Sequence, residues 1–311
     1  MSAYDIVRDI GKVLSNWGRW GAEDECGTLN LIDASAIKRG LACVKSGRTF
    51  SLGLPLGADG PQGGGVPGRF NPQHYMTAIG QGWGEEPGFH YSDDVLSLPL
   101  QAATQWDSLA HVYYDDHLYN GRPVSEVLDT FGAHADGIDK QAERAYLTRG
   151  VLLDIARYKG VDRLAPSTVI TLDDLESTAR AQGVSFAPGD ILVLRTGHIN
   201  VFLEDGDRDV YNFQCPGIGI ESLPWLRRCD FAAVASDTPN VEVLPGEDPL
   251  VLSPVHLVAL RDMGMPFGEM FVLEELAADC ADDGVWYFLL SAQPLKVTAG
   301  IGSPVNPIAV K

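Results

Sequence analysis

Residues 189–197 read GDILVLRTG, a short apolar run bounded by a glycine on each side. Such a run between turn residues is typical of a strand buried on both faces. Outward from it, TLDDLESTARAQG at 171–183 predicts a capped helix that ends in glycine, and FAAVASD at 231–237 predicts another buried strand. Single helices alternate with short strands, without the regular period of a barrel. The sequence therefore predicts an α/β fold of the α+β, mixed-sheet type.

The remaining segments fit the same fold class. Helices are predicted at 4–16, 33–46 (with Gly47 as its end) and 255–264, and strands at 48–56, 95–104 and 285–295. Residues 149–159 predict a strand that passes into a turn. No interior stretch resembles a domain boundary, so we expect a single domain over 1–311. Residues 57–92 are rich in Gly and Pro and too long for a plain connection, which predicts a functional flap or an oligomer arm.

Composition excludes several classes of partner. The chain carries 42 acidic and 23 basic residues and a net charge of −19, which repels phosphate backbones and anionic lipids. We therefore expect neither nucleic acid nor a membrane as a partner. The five cysteines are scattered, so neither a disulfide framework nor a thiolate zinc site is indicated. The N-terminal residues lack the features of a signal peptide, which predicts a cytoplasmic protein.

Several catalytic motifs are absent from the sequence. There is no GxGxxG after a strand, no GxxxxGK[ST], no GxSxG and no HExxH. These absences argue against a nicotinamide enzyme, an ATP-binding protein and a serine hydrolase.

The densest polar cluster is WDSLAHVYYDDH, residues 106–117, which includes Asp107, His111 and His117. Side chains four residues apart lie about 13 Å from each other on a strand, too far to share one metal ion. On a helical turn or a tight loop that separation falls to about 6 Å. A metal site therefore requires that the preceding strand end before Asp107. The alternative, a solvated acidic loop with one buried histidine, fits the cluster equally well.

Other candidate residues follow predicted strands and helices. His256 lies in a predicted helix, where a buried core histidine is the more common case. Glu269 enters an apolar strand, which is costly unless the carboxylate is paired or bound to a cation. Arg195 and His198 follow a buried strand, where α/β folds form ligand crevices. Arg195 could equally hold a loop, and structural hydrogen bonding is the favoured interpretation for Asp237 and Glu242.

In chain order, these segments resemble the metal-dependent cyclase superfamily, which includes kynurenine formamidase, isatin hydrolase and trans-dienelactone hydrolase. The resemblance covers nearly the whole chain, from RWGAEDECGTLNLI (19–32) to GIGSPVNPIAV (300–310). The family signature His-x3-His-x-Asp-x3-His falls on Asp107, His111, Tyr113 and His117. Asp107 and Tyr113 replace a histidine and an aspartate of that signature, which indicates a divergent WDxLxH branch and leaves the number of metal ions open.

The resemblance implies a swivelling β/β/α domain that assembles as a homodimer or homotetramer. It implies a hydrolase that uses a divalent ion, manganese or zinc, to cleave an amide C–N bond or a lactone or ester C–O bond. The implied metal ligands are Asp107, His111, His256 and Glu269. His117 would act as the proton shuttle, with Glu269 as the alternate base, and the ion or Arg195 would polarise the substrate carbonyl.

The expected substrate is a small cyclic or aromatic molecule. The expected substrate-binding residues are His74 and Trp83 in the flap, together with Tyr113 and His198. Two alternatives stay open: a lyase or ring-closing cyclase on the same scaffold, and a metal-free binding protein in which Asp107 and Tyr113 mark the loss of a metal site.

Overall fold

The computed structural model describes residues 3–84 and 88–311. Its described strands are β1 (Thr49–Ser51), β2 (Gln73–Gly82), β3 (His90–Ser97), β4 (Gln105–Asp107), β5 (Leu128–Asp129), β6 (Gly132–Ala133), β7 (Leu147–Asp154), β8 (Val169–Ile170), β9 (Ile191–Arg195), β10 (Gly217–Ile218), β11 (Ala233–Ser236), β12 (Phe267–Glu269), β13 (Tyr287–Ser291), β14 (Gly302–Pro304) and β15 (Ile308–Val310).

Helices connect these strands. The α-helices are α1 (Ala3–Leu14), α2 (Ala34–Leu41), α3 (Val124–Val127), α4 (Ile138–Gln141), α5 (Ile155–Tyr158), α6 (Leu172–Gln182), α7 (Ile199–Leu203), α8 (Arg208–Phe213), α9 (Leu223–Cys229), α10 (Pro254–His256) and α11 (Glu274–Asp283). The helix α10 continues as a π-helix over Leu257–Met263. Short 3₁₀ turns lie at Gly27–Leu31, Tyr119–Gly121 and Ile220–Ser222. Among the described residues, no helix combines the length and apolar character that crossing a bilayer requires.

Nine strands form one mixed sheet in the order β1-β15-β13-β7-β9-β11-β12-β4-β14. The four strands β7, β9, β11 and β12 are parallel to one another, and the flanking pairs are antiparallel. This arrangement confirms the predicted mixed α/β fold class.

Both faces of the sheet centre are buried. Along β9, Leu192 and Leu194 pack into one hydrophobic cluster, whereas Ile191 and Val193 pack into another. Because successive side chains of a strand point to opposite faces, the two clusters lie on the two sides of the sheet. A sheet covered on both faces needs strands that are apolar at every position, which explains the run ILVL.

The predicted helix at 171–183 is confirmed. The Thr171 side chain accepts a hydrogen bond from the Asp174 amide, and the Asp174 carboxylate accepts one from the Thr171 amide, which together make a capping box. Gly183 ends the helix in the left-handed conformation, with φ of 65°. The predicted helix at 33–46 is shorter than expected, because α2 ends at Leu41 and not at Gly47.

One other expectation was wrong in detail. The predicted strand 95–104 does not exist as one element, because β3 ends at Ser97 and β4 begins only at Gln105. In the predicted flap or arm at 57–92, the second half takes part in the antiparallel hairpin of β2 and β3, and the role of this segment stays a prediction. This hairpin has two register shifts, and the second, between Ala78 and Gln81, includes Gly80 with a φ of 58°. Residues 85–87 of the predicted flap lie outside the described residues, and the single domain over 1–311 stays a prediction.

Candidate metal centre

The pairing of β4 with β12 builds the floor of the candidate site. Gln105 lies directly opposite Glu269, and Trp106 lies opposite Gly268. Because strand side chains alternate, Gln105 and Asp107 share the face of Glu269, whereas the Trp106 ring packs in the core on the other face. Gln105 Nε2 donates a hydrogen bond of 2.7 Å to Glu269 Oε2 and fixes that carboxylate.

The turn after β4 brings His111 back to Asp107. The strand ends at Asp107, and the amide of His111 donates to the carbonyl oxygen of Ser108. His111 Nε2 consequently lies 3.7 Å from Asp107 Oδ1. This is the curled geometry that a shared metal ion requires of residues four apart.

His256 reaches the same point from the beginning of the π-helix. Glu242 Oε1 lies 2.5 Å from His256 Nδ1 and accepts from the His256 amide, while Glu242 Oε2 accepts from the amide of Val255. An ionised carboxylate can only accept, so Nδ1 carries the proton. His256 Nε2 then faces Glu269 Oε1 at 3.2 Å and Asp107 Oδ2 at 4.0 Å.

The electrostatics of this cluster favour a positive charge at its centre. Burial lowers the pKa of His256, but the hydrogen bonds and negative charges of Glu242 and Glu269 outweigh it and raise that pKa to about 10. Burial and the charge of Glu269 raise the pKa of Asp107 well above its usual value. Burial, with the positive charges of Arg69 and His256, lowers the pKa of His111 to about 3, so its imidazole is neutral.

These residues fit a divalent cation. Asp107, His256 and Glu269 are buried, and each offers a ligand atom within 4.8 Å of the others. Asp107 Oδ2 is buried without a hydrogen-bond partner among the described residues, which is costly for a carboxylate unless a cation satisfies it. His111 completes a set of two carboxylates and two imidazoles, and such nitrogen and oxygen donors suit zinc or manganese.

A cavity of about 420 Å³ opens in front of the cluster. Three cluster residues, His111, His256 and Glu269, reach it directly. Its other lining residues are mainly apolar, with three polar exceptions and one arginine: Val66, Arg69, Val112, Asn212, Phe213, Pro239, Asn240, Leu244, Pro245, Leu252 and Ser253. A small molecule with an apolar body would fit this space.

The structure places Arg195 away from this cavity. Its guanidinium donates to Asp154 at 2.8 Å and to Glu274 at 2.6 Å, and it lines a separate polar cavity. This geometry corresponds to the structural role that the sequence left open for Arg195. Asp237 also has a structural environment, since it accepts from the amides of Thr196 and Gly197 and holds the turn after β9.

His117 and Tyr113 lie on the loop that carries His111. His117 Nδ1 lies 2.6 Å from the carbonyl oxygen of Asp115, and none of its contacts within the described residues involves the buried cluster. The Tyr113 side chain is exposed, next to Val112, which lines the cavity. The roles predicted for both residues stay predictions.

The three other predicted substrate-binding residues lie outside the cavity lining. In the hairpin, His74 Nε2 lies 2.6 Å from Asp94 Oδ2, and the exposed Trp83 packs edge-on against Tyr91. His198 is buried, stacks on Tyr211 and contacts its carbonyl oxygen. Burial lowers the pKa of His198 to about 4.

Three residues of the site had no predicted role there: Gln105, Glu242 and Arg69. Glu242 was identified in the sequence, but nothing in SDTPNVEVLPG shows that it faces His256 fourteen residues later. Gln105 and Arg69 carried no signal at all, because their positions depend on the β4–β12 register and on the path of the 57–72 loop.

Comparison with known proteins adds a family match. A family model described as "Putative cyclase" matches residues 50–243. No curated protein matches the chain. A solved structure described as that of a novel cyclase is 38% identical, has a TM-score of 0.87, and covers 96% of this chain and 100% of its own.

More distant solved structures share the fold. Isatin hydrolase A from Labrenzia aggregata, bound to benzyl benzoate, is 16% identical with a TM-score of 0.63, over 84% of this chain and 93% of its own. A predicted metal-dependent hydrolase from Bacillus stearothermophilus is 13% identical with a TM-score of 0.51, over 85% of this chain and 98% of its own.

Proposed function

The chain belongs to the putative cyclase family, and on that premise we propose that it is a metal-dependent hydrolase of a small cyclic or aromatic substrate. The bond cleaved is an amide C–N bond or a lactone or ester C–O bond. One observation carries the proposal: two buried carboxylates and the His256 imidazole meet at one point at the end of an apolar cavity, with an unsatisfied Asp107 oxygen and with His111 Nε2 3.7 Å from Asp107 Oδ1. The names of the distant structural relatives, an isatin hydrolase and a predicted metal-dependent hydrolase, agree with it.

Asp107, His111, His256 and Glu269 would hold the ion, which we propose to be manganese or zinc. When bound, such an ion polarises a carbonyl group and lowers the pKa of a water molecule. Glu242 holds the proton of His256 on Nδ1 and keeps Nε2 available as a ligand atom. Gln105 binds Glu269 Oε2 and leaves Oε1 directed at the cluster.

Glu269 is the base in this proposal. Its Oε2, the oxygen that the ion does not bind, accepts a proton from water as the water oxygen forms a bond to the substrate carbonyl carbon. The same carboxyl then returns the proton to the nitrogen or oxygen that leaves when the C–N or C–O bond breaks. Glu269 lines the cavity and belongs to the buried cluster, whereas the contacts of His117 within the described residues lie outside it.

Elemental analysis combined with an activity panel tests the proposal. The purified protein is expected to contain about one divalent ion per chain and to hydrolyse a member of a panel of lactones, formamides, cyclic amides and aryl esters. Hydrolysis in isotopically labelled water inserts one solvent oxygen into the product, which a lyase or ring-closing cyclase does not do. A protein without metal that gains no activity from manganese or zinc contradicts the proposal.

Matched variants distinguish the buried carboxylates of the site from carboxylates elsewhere on the protein. Asp107→Asn and Glu269→Gln are expected to lower activity by about 100-fold or more. Asp116→Asn and Glu126→Gln make the same chemical changes at exposed positions and are expected to retain activity. Equal losses in both pairs would show that the buried carboxylates have no special role.

The same proposal places the enzyme in the cytoplasm and makes it a homodimer or homotetramer. Light scattering of the purified protein tests the predicted assembly by measuring its molar mass.

A further inference from the structure

Arg69 is held over the cavity by a loop that is anchored at both ends. The Asn71 side chain closes the loop, because Oδ1 accepts from the Gln62 amide and Nδ2 donates to the Gln62 carbonyl oxygen. The side chains of Arg208 and Asn212 in α8 donate to the carbonyl oxygens of Gly60 and Pro61. These bonds fix the loop, and with it Arg69, against the wall of the cavity.

Among the described residues, the guanidinium of Arg69 has no hydrogen-bond or ion-pair partner, although its charge acts on the nearby Asp107 and His111. It is partly buried and lines the same cavity as His111, His256 and Glu269, yet no described residue forms a hydrogen bond or an ion pair with it. Acidic residues outnumber basic ones by 42 to 23 in this chain, so partners for an arginine are abundant. Arg195, by comparison, is paired with two carboxylates.

An unpaired guanidinium presents a specific binding geometry. It offers five donors in a planar fork, which matches the two oxygens of a carboxylate. The cavity beside it is lined by apolar side chains such as Val66, Phe213 and Leu244, and its volume is about 420 Å³. The complementary ligand is a small molecule with an apolar body and a carboxylate.

We propose that Arg69 is a specificity-determining residue that binds a carboxylate on the substrate, apart from the bond that is cleaved. This inference rests on the proposed function, since it assigns the substrate class of that same site: a lactone, ester or amide that bears a carboxylate. A neutral analogue of such a substrate leaves the Arg69 donors without an acceptor and binds more weakly.

Equilibrium binding tests the inference without any need for turnover. Isothermal titration of the metal-loaded protein with benzoate, and with the neutral benzamide as the matched probe, is expected to show tighter binding of benzoate. Arg69→Gln is expected to weaken benzoate binding by about 10-fold or more and to leave benzamide unchanged, while Arg69→Lys restores part of the loss. Arg228→Gln, which removes a charge from an exposed side chain, is the control and is expected to bind benzoate like the native protein.

Three results would overturn the inference: no benzoate binding by the native protein, equal benzoate affinity in native protein and Arg69→Gln, or an equal loss for both probes. The outcome is separable from that of the hydrolase proposal. Arg69-dependent benzoate binding in a protein that hydrolyses nothing sustains the carboxylate-binding role of Arg69 and refutes the hydrolase. Hydrolysis with the same KM for a carboxylate substrate in native protein and Arg69→Gln refutes the inference alone.

Discussion

At Asp107, the requirements of folding and of metal binding are opposed. The side chain is fully buried, its Oδ2 lacks a hydrogen-bond partner among the described residues, and the negative charge of Glu269 lies nearby. Such a carboxylate destabilises the metal-free fold, because its charge is desolvated and repelled. A bound cation removes both penalties, so the same residue that weakens the metal-free protein strengthens the metal-loaded one.

Replacing this carboxylate should therefore stabilise the metal-free protein. We expect Asp107→Asn to raise the free energy of unfolding in the presence of a chelator by about 1 kcal/mol or more, because a neutral amide avoids the buried charge. The same variant should lose the stabilisation that we expect added manganese or zinc to give the native protein. Thermal denaturation with and without chelator measures both effects, and a variant that metal still stabilises as much as the native protein would contradict the assignment of Asp107.

Glu242 acts on the site through His256. It accepts from His256 Nδ1 and from two backbone amides, so it fixes both the ring and the start of the helix that carries it. We expect Glu242→Gln to lower metal affinity by about 10- to 100-fold, because the amide no longer holds the imidazole in the required orientation and charge state. Competition with a chromophoric chelator measures this affinity. Glu126→Gln, at an exposed position, should show no change, and an equal affinity in both variants would refute the positioning role.

At the scale of elements, the site depends on the close approach of β12 to β4. A Cβ atom on Gly268 would lie 2.6 Å from Trp106 Cζ3, so the two strands can pair at this distance only because residue 268 has no side chain. The Trp106 ring is fully buried and cannot move aside without disturbing the core. The distance between Asp107 and Glu269 is therefore set by a glycine on the opposite face.

A methyl group at position 268 should disturb the candidate metal site, although it lies on the opposite face of the sheet. We expect Gly268→Ala to lower the free energy of unfolding by about 1–3 kcal/mol through overpacking and to weaken metal binding as Glu269 shifts. Gly82→Ala in β2 is the matched control, since a Cβ there meets no atom within 4 Å. Chemical denaturation and metal titration measure the two effects. Unchanged metal affinity in Gly268→Ala would show that the β4–β12 distance does not control the site.

Local sequence predicted the elements whose signals are themselves local. The buried strand β9 and the capped helix α6 followed from an apolar run and from a cap with a terminal glycine. The hairpin of β2 and β3 was missed because its strands face solvent on both sides, which leaves no hydrophobic alternation to detect.

The candidate site was predictable only in part, because only some of its residues are marked by local sequence signals. Asp107 and His111 could be placed together once the strand was required to end, because they are close in sequence. Glu269 could be identified as a costly carboxylate in an apolar strand. The partners Gln105 and Arg69 depend on the register of two distant strands and on an anchored loop, and no local pattern encodes either.

At the scale of the whole molecule, a chain with a net charge of −19 buries carboxylates that it does not fully neutralise. Burial raises the pKa of Asp136 to about 7, although Arg122 lies 2.9 Å away and lowers it. Burial likewise raises the pKa of Asp237 to about 6 and raises that of Asp262. Surface carboxylates paired with cations show the opposite shift, as Asp115 does beside Arg8. The two groups of carboxylates therefore respond to pH in opposite directions and over different ranges.

Mild acid should consequently increase the contribution of Asp136 to stability, whereas His111 and His198, whose pKa values are lowered by burial, act in the opposite direction below about pH 6.5. As the pH falls from about 7 toward 4, folded Asp136 takes up a proton that the unfolded chain does not yet hold, so its contribution to the free energy of unfolding rises by up to about 1.4 kcal/mol per pH unit. The paired surface carboxylates have pKa values below those of the unfolded chain, and their contribution is lost only at lower pH. Urea denaturation between about pH 8 and pH 5 in the presence of a chelator measures how the free energy of unfolding changes with pH, and the difference between native protein and Asp136→Asn isolates the contribution of Asp136. Asp136→Asn should reduce the slope, because asparagine tolerates the left-handed backbone there and cannot titrate, whereas the exposed control Asp116→Asn should keep it. Identical slopes in all three proteins would mean that Asp136 does not titrate in this range.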